Sequence, residues 1–423
     1  MKLDDIATDP RAALSAMERY VNVGSPSGFT FLNTTSEHTR PHGIVPYFQL
    51  AEVVPRREVR VTNIGQLPPN LFRNKEETNQ MLVHPDMLGH PRLLKLAKWE
   101  DSLSWFTVEP TASSRTVSLC GRYLAGFVKL HYEGHLSRIS RRITLKHAQA
   151  AIENDTMISS LMEQGKMPAS FAYYRETAAR VYQAIDNEGE FYWGMVWRSG
   201  DIQFHSRSIS YLVPAFSLFS PDMRYPKRKT ILQQLGEIHS RRKVDFLIHE
   251  LLLPLVHSYF AMVLSGGLQG EWHAQNVLFG FDSNWHCVAT VLRDMESIDR
   301  DLPLMAKVGM PLNFASYPYK CLEPHGDVYA IRHSFMFDYK FGQYLLAPLI
   351  DHACRIWYIS SFSVDPVVVD LVTSYLRFLP DDFFPADGYW YKFANQLIDQ
   401  TVISRPFVRV EKPRFRLVKR FTN

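Results

Sequence analysis

Residues 270–278 read Gly270-Glu271-Trp272-His273-Ala274-Gln275-Asn276-Val277-Leu278. Four polar side chains, Glu271, His273, Gln275 and Asn276, fall within six positions and are flanked by apolar residues. Burying any of them without a partner is costly, so together they imply a partnered polar network, either a satisfied core cluster or a site. The following segments, Asn276 to Phe281 and His286 to Leu292, read as two strands joined by Asp282-Ser283-Asn284, a hairpin connection. The second strand ends at Arg293-Asp294-Met295-Glu296. A hairpin returns Asp294 towards the loop that holds Glu271 and Asn276. Carboxylate and amide oxygens are the hard ligands Mg²⁺ prefers, which makes Glu271, Asn276 and Asp294 the candidate metal set. His273 is placed to meet a phosphate or a developing charge.

Upstream, Pro110-Thr111-Ala112-Ser113-Ser114-Arg115-Thr116-Val117 puts hydroxyls and a guanidinium at a loop-to-strand junction. Forked arginine donors and small hydroxyls suit phosphate oxygens. Lys129 follows in the strand Phe127 to Tyr132, where period two sets it opposite Val128 and Leu130. Arg141 comes a dozen residues later. No G-x-x-x-x-G-K-[ST] loop and no G-x-G-x-x-G fingerprint is present, so any nucleotide must be held by side chains.

Around these clusters the chain organises as an α+β protein with a β-rich middle and a mostly helical C-terminal half. Residues 1–79 form a reduced N-terminal region, 80–227 a β-rich nucleotide-binding region, and 228–423 a helical domain carrying the hairpin and a basic tail. Residues 145–190 read as helices and Phe191 to Trp197 as strand. A long helical stretch runs from Arg228 to Leu264, and the chain beyond Ala330 reads as mostly helical. The apolar run Leu251 to Leu268, broken by Pro254 and Gly266-Gly267, reads as a core helix rather than a membrane span.

Composition bounds the function. The chain has 423 residues, 46% hydrophobic and 21% charged, with a net charge of +4, too small for a dedicated nucleic-acid binder. Four cysteines without a C-x-x-C pair, and the acidic start Met1-Lys2-Leu3-Asp4-Asp5, point to a reducing, cytoplasmic compartment and no secretion signal.

In combination and in this order, the motifs resemble the IucA/IucC family of NRPS-independent siderophore (NIS) synthetases. The matching residues are Val83-His84-Pro85, Pro110 to Thr116, Lys129, Arg141, Glu271-x-His273-x-Gln275-Asn276 and Arg293-Asp294, with a looser match at Lys412 to Leu417. The chain is shorter than the usual family member and lacks a counterpart of the N-terminal G-H-P motif. Ala112 replaces a serine, and Asp86-Met87 stand where Trp-Gln is common. The resemblance implies an ATP- and Mg²⁺-dependent ligase that adenylates a citrate-like carboxylate and condenses it with an amine or alcohol, and a homodimer. It implies ATP binding by Ser113, Ser114, Arg115, Thr116, Lys129, Arg141, His273, Gln275 and Asn276. His273, Lys129 and Arg141 would serve the chemistry, and His84, Arg332 and Lys412 the substrate. Two other readings stand beside it. One is a small-molecule kinase, although Ala274-Gln275 occupies the place of a kinase's catalytic Asp. The other is a non-catalytic nucleotide-binding relative.

Overall fold

The computed structural model describes residues 1–22, 36–43, 45–72, 79–98, 105–119, 126–136, 139–204, 208–323, 327–385, 390–398, 401–411 and 413–417. Its centre is one twelve-stranded mixed sheet. The strands are β1 (Phe48–Pro55), β2 (Arg60–Gly65), β3 (Met81–Val83), β4 (Ala97–Lys98), β5 (Trp105–Pro110), β6 (Thr116–Leu119), β7 (Gly126–Leu130), β8 (Phe171–Asp186), β9 (Gly189–Gln203), β10 (Tyr211–Pro214), β11 (Val277–Phe281) and β12 (Cys287–Leu292). They run in the order β10-β11-β12-β8-β9-β7-β6-β5-β1-β3, with β2 beside β8 and β4 beside β1. Strands from all three sequence regions therefore share one sheet. The α+β class, with strands in the middle and helices dominating the second half, is what the sequence predicts.

Strand β8 is the hub. Its first residues pair in parallel with β12, Phe171 opposite Thr290, and its later residues pair with β2 and β9. This connects the 270–294 hairpin to the sheet that carries Lys129. The helical reading of 145–190 is corrected here. Only Leu145–Glu163 is helical (α1), started by Thr144, whose hydroxyl accepts from the His147 N–H. Phe171–Asp186 is strand, and most of its side chains are buried whichever way they point. A strand covered on both faces shows no period-two alternation, so its apolar spacing is ambiguous. Gly126 opens β7 because a Cβ there would lie 2.2 Å from the Trp197 ring.

In the second half, α2 (Leu253–Gly266) is capped by Gly267 in the left-handed region, φ +61°. The helical segment 243–266 is long and apolar enough to cross a bilayer. Leu255, Val256, Tyr259, Phe260, Met262 and Val263 are nevertheless buried in the main core, the expected core helix. The stretch Arg228 to Leu264 is not one helix: Ile231–Ile238 ends before a turn, and helix resumes at Lys243. Beyond Ala330 come a π-helical segment, Phe335–Leu346, then α3 (Ala347–Trp357) and α4 (Asp365–Leu376). A hairpin of Trp390–Ile398 with Thr401–Glu411 follows, which the helical reading of this region missed. Its aromatic and β-branched residues favour strand.

Candidate active site

The edge of β7 and the end of the hairpin meet at Lys129. Register pairs Thr116 with Lys129, so the hydroxyl-rich loop lies beside the lysine. The Lys129 side chain is 2% exposed, and its Nζ pairs closely with Asp294 Oδ1 and at 2.6 Å with Glu296 Oε2. Burial opposes its charge, but Asp294, Glu296 and Glu176 more than offset this, so its pKa is raised. Burial pushes the Asp294 and Glu296 carboxyls upward, while Lys129 holds both below the usual carboxylate range. Asp294 adopts φ +75°, one position past the arginine that ends the strand pairing. Arg198 on β9 approaches Asp294 to 3.8 Å and is itself fixed by Glu176 at 2.6 Å.

The loop before β6 is a tight polar turn. Thr111 Oγ1 donates to the Thr116 carbonyl at 2.6 Å, and Ser113 Oγ accepts from the Thr116 N–H at 3.0 Å. Ser114 is held at φ +62°. Left-handed non-glycine residues cost energy and concentrate at functional sites, and both Ser114 and Asp294 are of this kind. Arg115 donates from Nη1 to the Arg141 carbonyl at 3.0 Å, and its Nη2 lies 3.6 Å from Glu296. The Arg141 guanidinium is half-buried, and among the described residues no carboxylate lies within salt-bridge distance of it. Burial and the neighbouring Arg115 lower its pKa, with Glu271, Asp294 and Glu296 opposing from further away. Arg141 thus stands between the two sequence clusters.

The loop 270–276 supplies the other wall. Asn276 Nδ2 donates to the Glu271 carbonyl at 3.2 Å, which leaves its Oδ1 for a cation or donor. His273 Nδ1 accepts from the Gln275 N–H at 3.2 Å, so the proton resides on Nε2, 3.6 Å from Glu271 Oε2. Burial lowers the His273 pKa, so the ring is neutral near pH 7. Burial alone would raise the Glu271 pKa; Lys340, 3.6 Å from its Oε1, and His273 bring it well below the ordinary value. Of the expected metal set, Asp294 lies at the lysine end, while Glu271 groups with His273 and Lys340 and Asn276 is tied to the Glu271 carbonyl. The carboxylate beside Asp294 is Glu296.

The family resemblance assigns three residues to the substrate. His84 is fully buried, its ring 5.1 Å from that of Tyr132, and burial drives its pKa down to about 4. Arg332 is bound to Asp299, with Nη2 3.1 Å from Oδ1. Lys412 lies outside the described residues. The structure also adds residues that the motifs do not contain. Glu296 offers only a faint signal, an acid two positions after Asp294. Lys340 sits on the π-helical segment, and Tyr319 donates to Glu296 Oε1 at 3.1 Å. Glu18, from the N-terminal helix Pro10–Tyr20, accepts from the Ala112 N–H at 3.1 Å and binds Arg293 Nη1 at 2.6 Å. It joins the phosphate-type loop to the Arg-Asp pair, and nothing local in the sequence announces it.

No protein-family model matches the chain, and no curated protein matches it in sequence. Solved structures match it in fold. The petrobactin biosynthesis protein AsbB from Bacillus anthracis superposes with a TM-score of 0.67 at 13% identity, over 92% of this chain and 72% of that one. The ATP-bound aerobactin synthetase IucA from a hypervirulent Klebsiella pneumoniae gives 0.61 at 16%, over 92% and 76%. Aerobactin synthetase IucC from the same source gives 0.61 at 11%, over 92% and 80%. The protein therefore has the fold of the IucA/IucC-type siderophore synthetases. At these identities the likeness defines the fold, and the activity is argued from the site.

Proposed function

We propose that the protein is an ATP- and Mg²⁺-dependent synthetase that activates a carboxylic acid as its acyl-adenylate and joins it to an amine or alcohol. The observation that carries this reading is Arg141: a half-buried guanidinium that has no carboxylate partner among the described residues, near Arg115 and the Lys129–Asp294–Glu296 group. A cation held partly out of water without a partner favours an anion that completes it. The ATP-bound state of the IucA neighbour supports a nucleotide as that anion.

The donor set fits Mg²⁺. Asp294, Glu296 and the Asn276 amide oxygen are hard ligands, and Lys129 Nζ now lies where a cation satisfies the two carboxylates. Bound there, Mg²⁺ would neutralise phosphate charge and orient the triphosphate. In the first step a substrate carboxylate oxygen attacks the α-phosphorus, and the bond to the departing pyrophosphate breaks. Arg115, Arg141 and Lys129, once released from its carboxylates, stabilise the charge on the phosphoryl oxygens. Neutral His273 donates from Nε2 to a phosphoryl or carboxyl oxygen. In the second step an amine or hydroxyl attacks the acyl carbon, loses its proton, and expels AMP. Lys340, Lys320 and Arg332 lie on the Glu271 side, where Glu271 and Asp299 offset part of the positive charge a substrate with further carboxylates would meet.

Incubation with ATP, Mg²⁺ and a panel of carboxylic acids and amines tests the reading. Acid-dependent release of pyrophosphate together with AMP is the expected result. ADP as the nucleotide product identifies a phosphotransferase instead. Tight ATP binding without turnover across the panel identifies a non-catalytic relative.

A further inference from the structure

A second group of ligating side chains lies at the opposite end of the β11–β12 hairpin from Asn276 and Asp294. His239, Glu250 and His286 bring one ligand atom each to within 4.8 Å of one another. His239 follows the helix Ile231–Ile238, Glu250 projects from the helical segment that resumes at Lys243, and His286 ends the hairpin turn. We propose that these three residues bind a first-row divalent cation of the zinc type, which clamps the hairpin turn onto the helical half of the molecule. The proposal is independent of the reading of the active site.

Geometry and donor chemistry both favour such an ion. His286 Nδ1 lies 3.3 Å from each Glu250 oxygen. Two ligands of a tetrahedral ion at about 2.0–2.1 Å are about 3.3–3.4 Å apart, so this pair already has the right spacing. His239, with its ligand atom within 4.8 Å of the other two, must move inward to complete the set. Two imidazoles and a carboxylate, with a fourth position open to water, match zinc-type ions better than Mg²⁺ or Ca²⁺, which take oxygen ligands.

Neighbouring groups set the ligands in the required state. Arg242 Nη2 donates to Glu250 Oε1 at 2.6 Å and lies 3.3 Å from His286 Nδ1. His286 Nδ1 is as close to both Glu250 oxygens as to this guanidinium, so the two ligands and the cation share one small space. The carboxylate and the imidazole thus already converge on a positive charge, and Arg242, about half exposed, is free to swing into solvent. His239 Nε2 must donate to the Trp285 carbonyl, 3.0 Å away, leaving the lone pair on Nδ1. Its ring is stacked on Phe246 with centroids 4.2 Å apart. Glu250 Oε2 is oriented by the Cys287 N–H at 3.0 Å. Backbone partners of this sort orient and tune metal ligands.

The test uses the full chain, stripped with a chelator and desalted, then titrated with Zn²⁺ against a chromophoric competitor. Wild type is expected to bind one more equivalent than His286→Ala or Glu250→Gln, with a Zn²⁺-dependent rise in Tm that both variants lose. His249→Ala, an exposed histidine next to Glu250, should behave as wild type. Arg242→Ala should bind at least as tightly as wild type, because the competing cation is gone. Equal stoichiometry and equal Tm shifts in wild type, His286→Ala and Glu250→Gln would overturn the proposal. So would weaker binding by Arg242→Ala, or no binding by wild type at micromolar Zn²⁺.

Discussion

Two cations under the influence of the same carboxylates, one paired with them and one not, should respond to truncation in opposite ways. Lys129 is buried and neutralises Asp294 and Glu296. Lys129→Ala leaves two carboxylates without their cation, a change that costs on the order of 3–5 kcal/mol in folding stability and also removes activity. Arg141 has no such partner among the described residues. Arg141→Ala is expected to lower pyrophosphate release about 10²–10³-fold while leaving the urea midpoint unchanged or slightly raised. A large stability loss in Arg141→Ala, or none in Lys129→Ala, would reverse the roles assigned to them. His84 gives a pH prediction. Its pKa is lowered to about 4 by burial, so between about pH 6.5 and 4 the unfolded chain holds a proton that the folded chain does not. Stability therefore falls as pH drops through that window, by up to about 1.4 kcal/mol per unit for this group. Denaturation at pH 7 and pH 5 should show a smaller difference in His84→Gln than in wild type; an unaltered difference would assign the effect to other groups. At this scale the sequence was most legible where polar residues crowd together, as in Glu271 to Asn276. Glu296 and Lys340 were not, because each is a single charge in otherwise ordinary surroundings.

Among the elements, the hairpin was readable because Asp282 makes the turn through its own side chain, which accepts from the Asn284 and His286 N–H groups, both at 2.9 Å. Strand β8 was not, because burial on both faces removes the alternation that identifies a strand. The part the helical N-terminal start plays at the site was the larger omission. Its Glu18 touches both the Ala112 N–H and Arg293, a contact between residues 275 positions apart in sequence. Such a contact has no local signature and exists only once the sheet brings β6 and β12 to the same helix. Glu18 is accordingly a positioning residue. Glu18→Ala strands Arg293 in a buried site and should cost about 3–5 kcal/mol. Glu18→Gln retains an acceptor for Ala112 and should restore part of the lost affinity for ATP. Urea denaturation and KM for ATP measure the two effects separately. If KM stays at the wild-type value in both variants, the clasp supports the fold without shaping the nucleotide loop.

For the molecule as a whole, the site's charge balance predicts coupling between its two ligands. Without nucleotide, Lys129 satisfies Asp294 and Glu296 and is unavailable to phosphate. Triphosphate alone meets those carboxylates as like charges, and Mg²⁺ alone meets the lysine as a like charge. On the proposed reading, with both bound, Asp294 and Glu296 would hold Mg²⁺ in place of Lys129, and the lysine and Arg141 would serve the phosphates. Each ligand should therefore raise the affinity of the other, and by the same factor, since linkage is reciprocal. A coupling of about 1–3 kcal/mol is the usual range, 5- to 150-fold in affinity. Thermal denaturation and calorimetric titration with ATP, Mg²⁺, both and neither give the four corners of the cycle. ATP with Mg²⁺ should raise Tm by more than the sum of the separate shifts, because both ligands bind the folded state alone. In Asp294→Asn the excess should shrink, as one of the carboxylates that exchanges its cation is gone. Strictly additive shifts in wild type would mean that Lys129 does not change partners, and that the two clusters hold ATP and metal as independent sites.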